Sequence, residues 1–178
     1  MLMPQHISVG RAGASCFAAV IGDITNLGIG AAIKSGFGSP HVAENAFDDN
    51  AATVWQSETP KSTASFIGWN WSAAPDTCRA IVRRVGLQQF KNATNGTYVA
   101  TTAVLEVSDN LTDWTIVHTF NPVDVPGDTT GPLEFFDVPS PLLAAAARIR
   151  GTVFSGGGGS LPINVWNVAE AQFIENVS

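Results

Sequence analysis

The sequence predicts an all-β protein: an antiparallel β-sandwich of jelly-roll type with an N-terminal extension. The 178-residue chain is 45% hydrophobic and contains 17 Gly and 10 Pro, a composition typical of many short strands joined by tight turns. Several stretches alternate apolar and polar residues with the period of two that strands require. The length lies within the usual single-domain range. We expect residues 1–36 to form the extension or extra strands and residues 37–178 to form the sandwich.

The N-terminal segment is unusually apolar for a chain end. Within residues 1–36 only Arg11, Asp23 and Lys34 are charged, and Gly, Ala, Ile and Val are abundant. A free tail normally combines high charge with low hydrophobicity, so this segment must be buried. We expect it to serve attachment or oligomerisation, and additional strands of its own sandwich are the alternative.

An oxygen-rich turn follows in residues 46–57. Asp48, Asp49 and Asn50 place three short oxygen-bearing side chains in succession, and Trp55 is large enough to anchor a core. Such a turn joins a candidate site for a hard cation to a packing centre.

Near the C-terminus, residues 168–174 alternate as a strand and carry Glu170 as a single acid among apolar neighbours. A buried carboxylate needs a partner, and a cation held by the Asp48 turn would supply it. The two regions would then close the domain together.

Between these regions the alternation predicts further strands. In residues 65–71 the side chains of Ile67, Trp69 and Trp71 share one face, which favours the core over a ligand surface for both tryptophans. Residues 155–160 read as a glycine-rich hairpin loop inside the domain. The other predicted strands are residues 80–90, 103–107, 114–120 and 147–153, of which the second and third form a hairpin.

The order and spacing of these motifs resemble the discoidin, or coagulation factor 5/8 type C, family. Its sugar-binding members include the family 32 carbohydrate-binding modules and the fucose lectins. The resemblance rests on the Ala-x-Asp turn leading to Thr-x-Trp-x-Ser in residues 46–57 and on Val-Ala-Glu-x-x-Phe in residues 168–173. Supporting matches lie in residues 65–71, 105–110 with Trp114, and 147–150, so that roughly residues 40–175 are covered.

The resemblance implies a structural calcium site. Its ligands would be the backbone oxygens of Asn45, Asn50 and Ala169 together with oxygens of Asp48, Thr53 and Glu170. Six or more irregularly placed oxygens suit Ca²⁺ better than Mg²⁺. The alternative is a metal-free turn with Glu170 on the surface.

The resemblance also implies a ligand site in the loops at one end of the sandwich. The family's ligand positions fall on Gln56, Gln89, Asn95 and Tyr98. The galactose-binding members often carry His and Arg at the first two positions. In this chain neutral amides would meet the sugar hydroxyls there instead of charged donors.

Composition and motifs exclude several function classes. A net charge of −6 with only three Lys argues against nucleic acid and against anionic membranes as partners. No nucleophile elbow, zinc-binding spacing or pair of catalytic carboxylates is present, so we expect no enzyme. We expect a non-catalytic, cell-surface glycan-binding adhesion module. The alternative is a phage structural protein that uses the same fold to contact other subunits.

The cysteines and the N-terminus bear on location. Cys16 and Cys78 are too few for a disulfide framework and do not sit at the two chain ends, where many secreted members of the resembled family close a disulfide. We therefore expect free, buried thiols. Residues 1–10 lack the basic region of a signal peptide, and the apolar residues 16–21 are too few to span a membrane. We expect a virion-surface or extracellular location, as in phage structural proteins that reach the outside without secretion.

Overall fold

The computed structural model describes residues 14–25, 27–36, 40–58, 60–73, 77–92, 96–156 and 164–176. Their regular structure is strand apart from one 3₁₀ turn at Ala43–Ala46. In chain order the strands are β1 (Ala31–Lys34), β2 (Trp55–Gln56), β3 (Phe66–Asn70), β4 (Ala80–Ile81), β5 (Arg84–Lys91), β6 (Tyr98–Ser108), β7 (Thr115–Phe120), β8 (Thr129–Thr130), β9 (Glu134–Asp137), β10 (Leu143–Ala144), β11 (Ala146–Gly156) and β12 (Asn167–Ile174).

Two antiparallel sheets form the sandwich. The first has the strand order β1-β3-β11-β6-β7, and the second has the order β2-β12-β5-β8 with β9 also paired to β5. The short strands β4 and β10 form a separate pair. This arrangement confirms the predicted all-β antiparallel sandwich of jelly-roll type.

The core lies between the sheets and is built around aromatic side chains. Trp55, Trp71 and Trp166 are fully buried, and Phe173 packs edge-on against Trp71 with ring centroids 5.8 Å apart. Trp69 is also buried and contacts the ring of Phe47. The period-two pattern of the third strand therefore gave the correct inward face.

The described part of the N-terminal segment packs on its own sandwich. Strand β1 pairs with β3, and Phe17 and Ile24 belong to the core. The Asn176 amide donates hydrogen bonds to three backbone carbonyls of the segment, and Ile21 forms a parallel bridge with Asn176. For the described residues within 14–36, these contacts favour the alternative that the segment adds strands to its own sandwich. They do not favour an arm that attaches to a partner. Residues 1–13 lie outside the described part.

The expectation of free, buried thiols was wrong. Cys16 and Cys78 form a disulfide with their Cα atoms 5.6 Å apart, and Cys16 lies at the surface. The bond ties the N-terminal segment to the stretch that leads into β4. Sequence spacing did not reveal it because the two cysteines are 62 positions apart and meet only through the fold.

The predicted strand over residues 80–90 is divided in the structure. Residues 82 and 83 separate β4 from β5, and there the Arg83 N–H bonds the Ile174 carbonyl at 2.9 Å. Within the described ranges, none of the helical turns has the length and apolar character needed to cross a bilayer.

Candidate functional site

Three carboxylates from separate parts of the chain converge at one edge of the sandwich. Asp23 precedes β1, Asp49 lies in the turn before β2, and Glu170 belongs to β12. One oxygen of each side chain lies within 4.8 Å of the others. Asp49 has a positive φ of 56°, a backbone conformation that Asp tolerates better than most residues. The fold thus brings three carboxylates close together although their charges repel one another.

Glu170 is the centre of this cluster. The residue is 3% exposed, and neither carboxylate oxygen makes a hydrogen bond of ordinary geometry within the described residues, although the nearby Asp49 backbone N–H acts to lower its pKa. Burial, followed by the charges of Asp49, Asp23 and Asp48, raises the pKa of Glu170 to about 8. A buried carboxylate without a partner is costly unless an opposite charge joins it.

Asp23 is held in place by the backbone around it. Its Oδ1 accepts hydrogen bonds from the N–H groups of Thr25 at 3.2 Å and Phe173 at 3.0 Å, and its Oδ2 accepts from the Thr25 hydroxyl at 2.6 Å. Burial raises the pKa of Asp23, although these hydrogen bonds act in the opposite direction. The side chain is therefore fixed beside Glu170 by the N-terminal segment.

The turn that carries the predicted calcium ligands is compact. Asp48 accepts a hydrogen bond from the Asn50 N–H at 3.0 Å and another from the Thr53 hydroxyl at 2.7 Å. The same hydroxyl lies 2.8 Å from the Asn50 carbonyl, so these oxygens already face one another. The Asn45 amide donates to the carbonyls of Pro40 and Val54 at 3.0 Å each and fixes the start of the turn.

The carboxylate cluster contains one of the predicted calcium ligands, Glu170, and also two acids that were not predicted as ligands. Asp48 lies close enough to Glu170 to raise its pKa, and Ala169 immediately precedes Glu170. Asp23 and Asp49 were missed as members of the cluster. Asp49 stood beside Asp48 in the sequence and could have been included. Asp23 gave no signal because it lies in the segment assigned to the extension.

The donor set fits a hard divalent cation. All the members of the cluster offer carboxylate oxygens, the ligands that Ca²⁺ prefers, and no side chain of the described residues donates to Glu170. Coordination would supply the positive charge that the cluster lacks.

The predicted sugar-binding residues meet around Trp166, at a second location. The Trp166 indole N–H donates to the Gln89 side-chain oxygen at 2.8 Å, and Tyr98 forms a parallel bridge with Trp166. Gln56 pairs in register with Asn167, the next residue. Asn95, the fourth predicted residue, lies outside the described part of the chain.

Gln89 does not reach a ligand surface. It is 2% exposed, and its amide nitrogen donates to the Ala100 carbonyl at 3.0 Å. Its oxygen accepts from the Ala100 N–H at 2.7 Å as well as from Trp166. The assignment of Gln89 as a sugar-contacting residue is corrected accordingly, because its hydrogen-bonding groups are occupied inside the fold and tie β5 to β6.

Tyr98 and Gln56 are half-buried at the end of the sandwich. The Lys61 ammonium lies 3.4 Å from the centroid of the Tyr98 ring and 5.1 Å from that of Phe154, and it donates to the Asn164 side-chain oxygen at 3.1 Å. Partial burial lowers the pKa of Lys61. Lys61 was missed in the sequence because it stands in a polar loop without a motif.

Searches among known proteins give a consistent answer at the level of fold. No family model matches the sequence, and no curated protein matches it either. Solved structures do match, at a probability of 1.00. One is a family 32 carbohydrate-binding module of NanJ from Clostridium perfringens in complex with galactose, with 16% identity, 80% of this chain and 91% of that one covered, and a TM-score of 0.57.

Two further modules from the same organism are equally similar. One, solved in complex with GalNAc-β-1,3-galactose, is 16% identical, with 81% and 92% of the two chains covered and a TM-score of 0.58. The other, from a family 31 glycoside hydrolase, is 18% identical, with 83% and 90% covered and a TM-score of 0.58. The chain therefore has the discoidin-like jelly-roll fold of family 32 carbohydrate-binding modules.

Proposed function

We propose, from a fold shared with sugar-binding modules, that this protein is a non-catalytic carbohydrate-binding module whose fold is stabilised by calcium. The observation that carries the binding role is the group around Trp166, where the Lys61 ammonium lies over the half-buried Tyr98 ring and the half-buried Gln56 pairs in register with Asn167. Together they offer an aromatic surface, an amide and a cationic donor, which suit the hydroxyls of a neutral glycan.

The site is expected to bind a single sugar weakly. It offers one aromatic ring, and that ring already carries the Lys61 ammonium, so little apolar surface remains to be covered. A dissociation constant of about 1 mM per domain is expected, and useful attachment to a cell surface would then depend on several copies.

A multimerised form of the protein on a glycan array tests the binding role. Wild-type protein is expected to retain a subset of neutral glycans. The double variant Tyr98→Ala and Gln56→Ala should lose at least tenfold in signal. Thr119→Ala, on the exposed face of β7, serves as the matched control and should bind like wild type. Undiminished binding by the double variant would show that the glycan site lies elsewhere.

Calcium is the cation that we propose for the carboxylate cluster. Asp23, Asp49 and Glu170 would supply carboxylate oxygens, and the 48–53 turn and Ala169 would add the oxygens that the family resemblance implies. The bound ion would neutralise Glu170 and join the N-terminal segment, the turn and β12.

Calcium addition to chelator-treated protein is expected to raise the melting temperature. An ion at about 100 times its dissociation constant adds roughly 2.7 kcal/mol, or about 5–10 °C for a chain of this size. Asp48→Ala and Glu170→Gln should abolish the response, whereas Asp113→Asn in the β6–β7 loop should retain it. A wild-type melt that is the same in excess chelator and in excess calcium would rule the site out.

An extracellular or virion-surface location is part of the proposal. The Cys16–Cys78 disulfide supports an oxidising environment, where such bonds persist. An N-terminal arm buried on a neighbouring subunit would have favoured the alternative role in particle assembly. Residues 14–36 pack on their own sandwich, so no observation in the described residues favours that role.

A further inference from the structure

A groove of about 480 Å³ crosses the outer face of the first sheet. It is lined by Phe66 of β3, Glu106 of β6, Arg148 and Arg150 of β11, Trp114 just before β7, and Thr63 and Thr112. None of these residues belongs to the group around Tyr98. Tyr98 and Glu106 are both in β6, eight residues apart, which corresponds to about 26 Å along a strand.

The floor of the groove is a buried carboxylate held by two arginines. Glu106 is 4% exposed, and it accepts hydrogen bonds from Arg148 Nε at 2.6 Å and from Arg150 Nε and Nη2 at 2.9 and 2.6 Å. Burial alone would raise the pKa of Glu106, but the bonds from Arg150 and Arg148 outweigh it and lower that pKa. One negative charge thus faces two positive charges, and the groove is locally cationic in a chain whose net charge is −6.

The Arg148 guanidinium packs against two aromatic rings. Its central carbon lies 4.0 Å from the Trp114 ring centroid and 4.6 Å from that of Phe66. Gly68 is its register partner on β3, and a Cβ there would come within 2.6 Å of the Arg148 Cβ. The absent side chain at position 68 lets Arg148 lie against the sheet.

The outer edge of this guanidinium is open. Its Nε is bonded to Glu106, while its two terminal nitrogens have no acceptor among the described residues and are not among the buried polar atoms without partners. The Arg148 side chain is 16% exposed, and these nitrogens are its partly accessible atoms on the groove side. A guanidinium presents two parallel N–H donors along such an edge, a spacing that matches a carboxylate.

We propose that this groove is a second binding site and that it takes a carboxylated sugar. Arg148 would hold the carboxylate with its two terminal nitrogens. Trp114, which is partly exposed although its ring also contacts the Arg148 guanidinium, would meet the apolar face of the sugar ring, and Thr63 and Thr112 would meet its hydroxyls. The volume lies within the range of small-molecule sites and accommodates one or two sugar rings. Because Glu106 offsets one of the two arginines, the charge left over matches a ligand with a single negative charge.

NMR titration of the ¹⁵N-labelled protein tests this proposal. The reporter is the Trp114 indole N–H resonance, assigned by its loss in Trp114→Phe. Methyl β-D-glucuronide and methyl β-D-glucoside are the probes, since they differ only in a carboxylate against a hydroxymethyl group. A saturable shift with the glucuronide is expected, at an affinity at least tenfold higher than for the glucoside. No saturable shift, or equal affinity for the two probes, would overturn the proposal.

Two variants separate this groove from the loop-end site, and an acetate titration tests the part played by the sugar. Arg148→Lys keeps the positive charge but lacks the paired donors, and it is expected to weaken glucuronide binding at least tenfold. Tyr98→Ala should leave the titration unchanged, whatever its effect on the glycan array. Sodium acetate should bind at least tenfold more weakly than the glucuronide, and equal binding would remove the sugar from the proposal. The wild-type comparison of the two sugars stands even if Arg148→Lys fails to fold.

Discussion

The calcium-free protein is expected to lose stability as the pH rises from about 5 to about 9, by at most about 5 kcal/mol. The cause is Glu170, whose pKa is about 8 in the folded protein against an ordinary 4.5. Between these values the unfolded chain has released a proton that the folded chain still holds. The contribution is therefore fully present below pH 4.5 and is lost as the pH passes through 8. Asp23, whose pKa is also raised, acts with the same sign.

Urea unfolding at pH 5, 7 and 9 in excess chelator measures this dependence. Glu170→Gln removes the titrating group while keeping the shape of the side chain, so its stability should vary much less with pH. Glu44→Gln alters an exposed acid on the 3₁₀ turn and should keep the wild-type slope. Saturating calcium should flatten the wild-type curve, because the ion favours the ionised carboxylate. Equal slopes for wild type and Glu170→Gln in chelator would show that Glu170 is not the group responsible.

Loss of the disulfide is expected to lower the free energy of unfolding by about 4 kcal/mol. The Cys16–Cys78 bond closes a loop of 62 positions, and its removal returns conformational freedom to the unfolded chain. Denaturant unfolding of wild type and of the double variant Cys16→Ser with Cys78→Ser measures the difference.

A reducing agent provides the control for the disulfide. It should destabilise wild type to the level of the double variant and leave the double variant itself unchanged. Unchanged unfolding of wild type after complete reduction, verified by thiol titration, would contradict the prediction.

Local alternation predicted the strands well because each strand exposes and buries its side chains according to its own sequence. Ile67 and Trp69 show this, since their inward face follows from five consecutive residues. The meeting of Cys16 with Cys78, and of Asp23 with Glu170, depends on where the N-terminal segment docks. Nothing in the segment itself specifies that position, so neither contact could be predicted from the sequence.

Gln89 shows a different limit. Its place near the ligand end followed from the family resemblance, and the structure does put it beside Trp166. Whether an amide points outward to a sugar or inward to the Ala100 backbone depends on the neighbouring strands. A polar side chain in the sequence indicates that hydrogen bonds are needed. It does not indicate which groups provide them.

The disulfide also determines how the domain would respond to mechanical load. If force is applied to the chain before Cys16 and after Cys78, the covalent path runs from Cys16 directly to Cys78. The residues between the two cysteines, including β1, β2, β3 and the 48–53 turn, then carry no tension along the backbone even after the sheets separate. Only the residues before Cys16 and beyond Cys78 can lengthen. A module held at its glycan site and pulled from its N-terminal end would extend over a shorter distance when oxidised than when reduced.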